Sequence, residues 1–170
     1  MLRNLFPRLT SAHDRGAALF ERLVAEARRP HWFVEGQVPD TVDGRFAVLA
    51  TVIALATVRL ERGGEEAHAA SVALAERFVA AMDAEHRQMG VSDPGIGKQV
   101  RKLVAILGRR VEQWRSVTGG EASWADSVRT SLYRDEVGQT ACHHCERALR
   151  TLWARLEAAP DAAIAQGRIE

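Results

Sequence analysis

Cysteine is scarce: the 170 residues contain only two, Cys142 and Cys145, and no third is available to pair with either. A small secreted fold stapled by several disulfides is therefore excluded, and a reducing compartment fits better. Neither sign of charge is in excess, since 23 basic and 22 acidic residues leave a formal net charge of +1. That balance gives no reason to expect DNA binding or generic attraction to an anionic surface, so any basic patch has to be local. Long apolar runs are also missing. The most apolar stretch, Phe46 to Val58, is closed by Arg45 and Arg59 and falls well short of the roughly 20 residues a bilayer span requires. No continuous apolar segment follows Met1 to Arg8, so a signal peptide is not expected there.

Strand signals are nearly absent, because β-branched and polar residues alternate nowhere for long, whereas apolar residues recur at helical spacing. With 46% hydrophobic and 26% charged residues, no internal repeat and no low-complexity tract, the expectation is an all-α, single-domain bundle of about six helices around a buried central helix. Its boundaries are read as a flexible segment 1–10, a helical domain 11–158 and a frayed tail 159–170.

The first helix is expected from Ser11, as N-cap, to Arg28, with Leu19, Phe20 and Leu23 inward and Pro30 ending it. Residues 31–42 carry Gly36 and Pro39 and read as a structured connector. Thr41 or Asp43 caps a second helix to Arg62 that is apolar on nearly every side. After Gly63 and Gly64, a third helix runs from Glu65 to Met89 with Val72, Ala75, Val79, Met82 and Met89 on one stripe. Asp93 and Pro94 announce a fourth, in which Ile96, Val100, Leu103, Leu107, Val111 and Trp114 share one side and Lys98, Arg101, Lys102 and Arg109 lie elsewhere. A shorter helix around Trp124 to Leu132 and a last one over Gln139 to Ala158 follow.

The most conspicuous local pattern is Cys142-His143-His144-Cys145, whose side chains are of the types zinc prefers. Consecutive helical positions radiate about 100 degrees apart, so the four cannot converge on one ion from a regular helix. Cys142 and Cys145 share a stripe with Leu149, Leu152 and Leu156, which favours two small core hydrophobes over a metal site or a redox pair. A haem attachment motif is not met, because Glu146 stands where histidine is required. His13, His31, His68 and His86 are scattered over other elements, and no glycine-rich elbow surrounds any serine. Gly95-Ile96-Gly97-Lys98 lacks a preceding strand, so it reads as helix initiation instead of a phosphate loop. No catalytic residue, metal or cofactor is expected.

Two segments carry a resemblance. Pro30-His31-Trp32-Phe33, with Val38-Pro39-Asp40-Thr41-Val42-Asp43-Gly44-Arg45-Phe46 after it, and Met82-Asp83, with Arg87-Gln88-Met89-Gly90-Val91-Ser92-Asp93 after it, are similar to the ubiquinol-cytochrome c chaperone family. Gly108-Arg109 and Leu132-Tyr133-Arg134-Asp135 add weaker likeness. The resemblance implies a helical, non-enzymatic assembly factor that binds newly made cytochrome b during biogenesis of the cytochrome bc complex. It implies a cytoplasmic location, peripheral at the inner membrane, with the ribosome or a co-chaperone as further partners. A metal- or haem-responsive protein using Cys142 to Cys145 is the alternative.

Partner-binding candidates follow from these segments. Trp32, Phe33, Val34, Val38 and Val42 would form an apolar rim; if they prove to be core, the client surface lies elsewhere, beside Met82 and Met89, whose flexible side chains suit adaptable contacts. Asp40, Asp43, Arg45, Asp83, Arg87 and Asp93 spread opposite charges over loops and helix ends, where some serve as caps and others face a partner. Lys98, Arg101, Lys102 and Arg109 are either the solvated face that any surface helix needs or a contact for an anionic partner such as ribosomal RNA or a membrane surface.

Overall fold

Thr41 sets the start of the central helix. Its backbone is extended, and its Oγ1 accepts a hydrogen bond from the Gly44 N–H at 3.2 Å, satisfying one of the orphan donors of the first turn. The helix it caps, α2 (Val42–Glu61), is buried at every position from Val48 to Val58 in a computed structural model that describes residues 16–88 and 96–170. Full burial of Ile53, Leu55 and Leu60 contributes about 1.5–3 kcal/mol per side chain. Around α2 pack α1 (Ala17–Ala27), α3 (Glu65–Gln88), α4 (Ile96–Thr118), α5 (Trp124–Leu132) and α6 (Gln139–Ala158). A short α7 (Asp161–Ala165) follows, and among the described residues there is no strand.

The all-α bundle with a buried central helix is thus as the sequence pattern suggests. Gly63 and Gly64 separate α2 from α3, and Gly119 and Gly120 separate α4 from α5. Leu19 and Leu23 of α1 are buried and Phe20 is partly so, while the expected cap at Ser11 lies outside the described residues. On α4, Leu103, Leu107, Val111 and Trp114 face the core, as their spacing requires.

The buried face of α3 differs from the expected stripe. Ala67, Ala70, Leu74, Phe78 and Met82 are buried, whereas Val72 is 58% exposed and Ala75 and Val79 only flank the core. Leu74 and Phe78 remove more apolar area from water than the valines could, and they set the helix rotation.

In the tail 159–170, where fraying is expected, two side chains are buried. Ile164 and Ile169 are fully enclosed, and Arg59 explains why. Its guanidinium donates to the carbonyls of Leu156 at 3.1 Å and Ala159 at 2.9 Å, closing the end of α6, and to Asp161 Oδ1 at 2.9 Å. Asp161 Oδ2 in turn accepts from the Gly64 N–H at 3.0 Å. Further along, the Ile169 carbonyl accepts from Arg155 at 2.6 Å and Arg22 at 3.3 Å. Two apolar anchors and charge-assisted bonds to orphan carbonyls offset the entropy of ordering the tail.

Candidate partner-binding face

The connector between α1 and α2 begins with a 3-10 turn at Pro30–Trp32. Trp32 is completely buried and its Nε1–H donates to the Glu26 carbonyl at 2.9 Å; Val38 is buried as well. Both were expected at an exposed rim, and both belong to the core. An indole ring removes a large apolar area from water once its N–H finds an acceptor. The Glu26 side chain, itself nearly buried, lies within 3.1 Å of Arg29 and 3.6 Å of both Arg22 and Arg155, which offsets its desolvation.

Gly36 is where the connector meets α6. A Cβ there would stand 2.5 Å from Cys145 Sγ and 2.5 Å from the Trp32 carbonyl oxygen, so only glycine fits. The Tyr133 hydroxyl donates to the Gly36 carbonyl at 2.5 Å and lies 3.2 Å from Cys145 Sγ. Burial pushes the Cys145 thiol up to about 11, and burial together with the Cys145 contact raises Tyr133 further still. Both shifts keep the proton on, the opposite of what activating a nucleophile requires.

With Trp32, Gly36 and Val38 inside, Val34, Glu35, Gln37 and the run from Pro39 to Thr41 are the exposed positions of the connector. Val34 and Val42 are 68% and 64% exposed, two of only four large hydrophobics so exposed among the described residues. Phe33 is half-buried, with the Arg45 guanidinium 5.8 Å from its ring centroid. Arg45 also donates to Asp40 at 2.6 Å, which holds the Asp40 carboxyl below its ordinary range. Asp43 pairs with Arg134 at 3.0 Å, joining the start of α2 to the segment after α5. Beside it, Tyr133, Arg134, Asp135, Glu136 and Val137 line a cleft of about 570 Å³ together with Arg129 and Thr130. Asp40 and Asp43 therefore sit in separate ion pairs with arginines on a surface that also exposes valine, and the two carboxylates are not paired with each other as acid–base work would use them.

Phe33, Asp40, Asp43 and Arg45 are brought together here. Asp83 is half-buried near the end of α3, and Met82, a candidate for adaptable contacts, is buried in the core. Arg87 lies in the last turn of α3 with its side chain outside the described residues, and Met89 and Asp93 fall outside them altogether. Lys98, Arg101, Lys102 and Arg109 are all exposed on α4, and among the described residues none of them takes part in an ion pair.

Cys142 and Cys145 are buried, as their shared stripe suggests, His143 is exposed and His144 is half-buried. The four do not converge, and no group of three or more histidine, cysteine or acidic side chains among the described residues is placed to hold a metal. Sequence reasoning missed Tyr133 as the lock on Gly36, although Tyr133 lies within one of the resembling segments. It also missed Arg110, which donates to Thr51 Oγ1 at 3.0 Å and the Ser131 carbonyl at 2.6 Å; burial lowers its pKa to about 10, so it stays charged at neutral pH.

Residues 34–170 match the model of the family described as ubiquinol-cytochrome C chaperone. The chain belongs to that family. The match takes in the exposed part of the connector, the Tyr133 lock and the packed tail. Among solved structures, the crystal structure of the Cbp3 homolog from Brucella abortus superposes with a TM-score of 0.82 at 27% sequence identity, covering 100% of this chain and 96% of that one. No curated protein matches significantly. No helix among the described residues is long and apolar enough to cross a membrane.

Proposed function

We propose that this ubiquinol-cytochrome c chaperone family protein is a non-enzymatic assembly factor of the cytochrome bc complex that binds newly made cytochrome b. The observation that carries the reading is the family match over residues 34–170, which includes the exposed connector. Val34 and Val42 are the apolar contacts of the client face, with Phe33 at its edge and Asp40, Asp43, Arg45 and Arg134 as its polar rim. An apolar centre with a charged rim is the usual anatomy of a protein interface. A hydrophobic membrane subunit offers matching apolar surface before it is fully assembled.

The exposed cations of α4, Lys98, Arg101, Lys102 and Arg109, form a separate surface for an anionic partner, ribosomal RNA or lipid headgroups, which would hold the chaperone where its client emerges. The location that follows is cytoplasmic and peripheral at the inner membrane. Capture of the tagged protein from its native cells tests the reading: cytochrome b is enriched, and deletion lowers the level of assembled bc complex. Capture without cytochrome b, together with a normal complex after deletion, would remove it.

A further inference from the structure

His31 and His144, separated by 113 positions in sequence, bring two imidazoles together where the connector meets α6. His31 Nδ1 and His144 Nε2 stand 3.1 Å apart, and the ring centroids are 5.3 Å apart with the planes at 61°. Both rings are half-buried beside buried neighbours. His31 lies against the ring of buried Trp32 at 4.5 Å, and His144 is flanked on α6 by the buried Cys142 and Cys145. The two nitrogens are therefore positioned by the core instead of by long mobile side chains.

We propose that His31 Nδ1 and His144 Nε2 form a two-imidazole chelate for a borderline divalent transition metal, zinc, nickel or copper(II), that ties the connector to α6. Imidazole nitrogen is a ligand these metals accept well, and hard cations such as magnesium prefer oxygen. A tetrahedral zinc with Zn–N of about 2.0–2.1 Å sets its ligating nitrogens about 3.3–3.4 Å apart, a few tenths of an ångström from the observed spacing. The proton now shared between the rings needs no acceptor, because each neutral imidazole can carry its hydrogen on the other nitrogen, Nε2 of His31 and Nδ1 of His144. Water fills the remaining coordination positions, since the rings are only half-buried.

The site differs from a cluster built on Cys142-His143-His144-Cys145. Both thiols point into the core and His143 is on the exposed side, so only one residue of that motif takes part.

Zinc, nickel and magnesium are titrated separately into the full-length protein by calorimetry, with imidazole resonances followed by NMR during the zinc titration. The expected result is saturable one-site binding of zinc and nickel, none of magnesium, and shifts confined to His31 and His144. H31A and H144Q weaken binding by at least about tenfold, since even outer-shell partners are worth 10- to 100-fold, while H143A binds as the parent does. Zinc that binds equally well to H31A and H144Q, shifts that fall on other histidines, or no saturable binding to the parent would overturn the site. The resonance map of the unaltered protein decides the matter even where a variant folds poorly.

Discussion

The Tyr133 hydroxyl donates to the backbone carbonyl of Gly36 at 2.5 Å, across 97 positions of sequence. This bond fastens the connector to the segment after α5, with Cys145 of α6 packed against both residues. The exposed Val34 lies two positions before this anchored glycine.

Tyr133→Phe removes the donor and leaves the Gly36 carbonyl with only the long Cys145 Sγ contact at 3.9 Å, at a cost of about 1–2 kcal/mol. Gly36→Ala forces a Cβ onto Cys145 Sγ and the Trp32 carbonyl and costs about 1–3 kcal/mol by overpacking. Urea unfolding followed by circular dichroism checks both. An alanine at position 36 that left the midpoint unchanged would contradict the close packing.

The tail depends on Arg59, whose side chain is largely enclosed. Arg59→Ala strands the Leu156 and Ala159 carbonyls and is expected to cost about 2–3 kcal/mol, with faster amide exchange at Ile164 and Ile169.

The Gly64 N–H and then Arg59 hold the Asp161 carboxyl below the ordinary value of 3.8. A carboxylate whose folded pKa is depressed contributes stability that is fully present above its unfolded value and lost as pH falls through the folded one. Asp161→Asn is therefore less stable than the parent at pH 7, and the gap closes as the pH drops below 3.8. Melting temperatures of the two proteins from pH 7 down into the acid range measure that closure; a constant gap would show that Asp161 acts by shape alone.

Cys142 and Cys145 are buried, and burial favours the thiol form of Cys145. A disulfide-exchange reagent at pH 8 should react slowly with the native protein and titrate both thiols once it is unfolded. Rapid native reaction at either cysteine would place it on the surface.

Much of the architecture was readable in the sequence because its signals are local. Thr41 as a cap, the glycine pairs between helices and the 3.6-residue spacing from Leu103 to Trp114 each state their role within a few residues. Errors arose where tertiary partners decide. Val72 fits a helical stripe, yet Leu74 and Phe78 take the buried face. Trp32 sits in a segment of glycine and proline that reads as surface, and only the Glu26 carbonyl reveals it as core. Ile164 and Ile169 look too sparse to hold a tail until Arg59 and Arg155 close the carbonyls around them. On the candidate face, Asp40, Asp43 and Arg45 were identifiable by type, but their pairing with Arg134 and the meeting of His31 with His144 join distant stretches that no spacing rule connects.

Charge reversal on α4 tests the second surface. Lys98→Glu, Arg101→Glu and Lys102→Glu together should change unfolding stability by only about 0.5 kcal/mol, because these positions are exposed and without ion pairs among the described residues. Co-sedimentation with ribosomes or with anionic vesicles should fall and become less sensitive to salt. Unchanged sedimentation with both would assign the cations to solvation alone.

The most direct test of the chaperone reading is capture of cytochrome b by the parent protein and by a Val34→Asp, Val42→Asp variant expressed at the same level. Both side chains are exposed, so the variant should unfold at the same urea concentration as the parent. Cytochrome b enriched with the parent and lost with the variant is the predicted result. Equal capture by the two proteins would contradict a client face built on the connector, and capture by neither would contradict cytochrome b as the client.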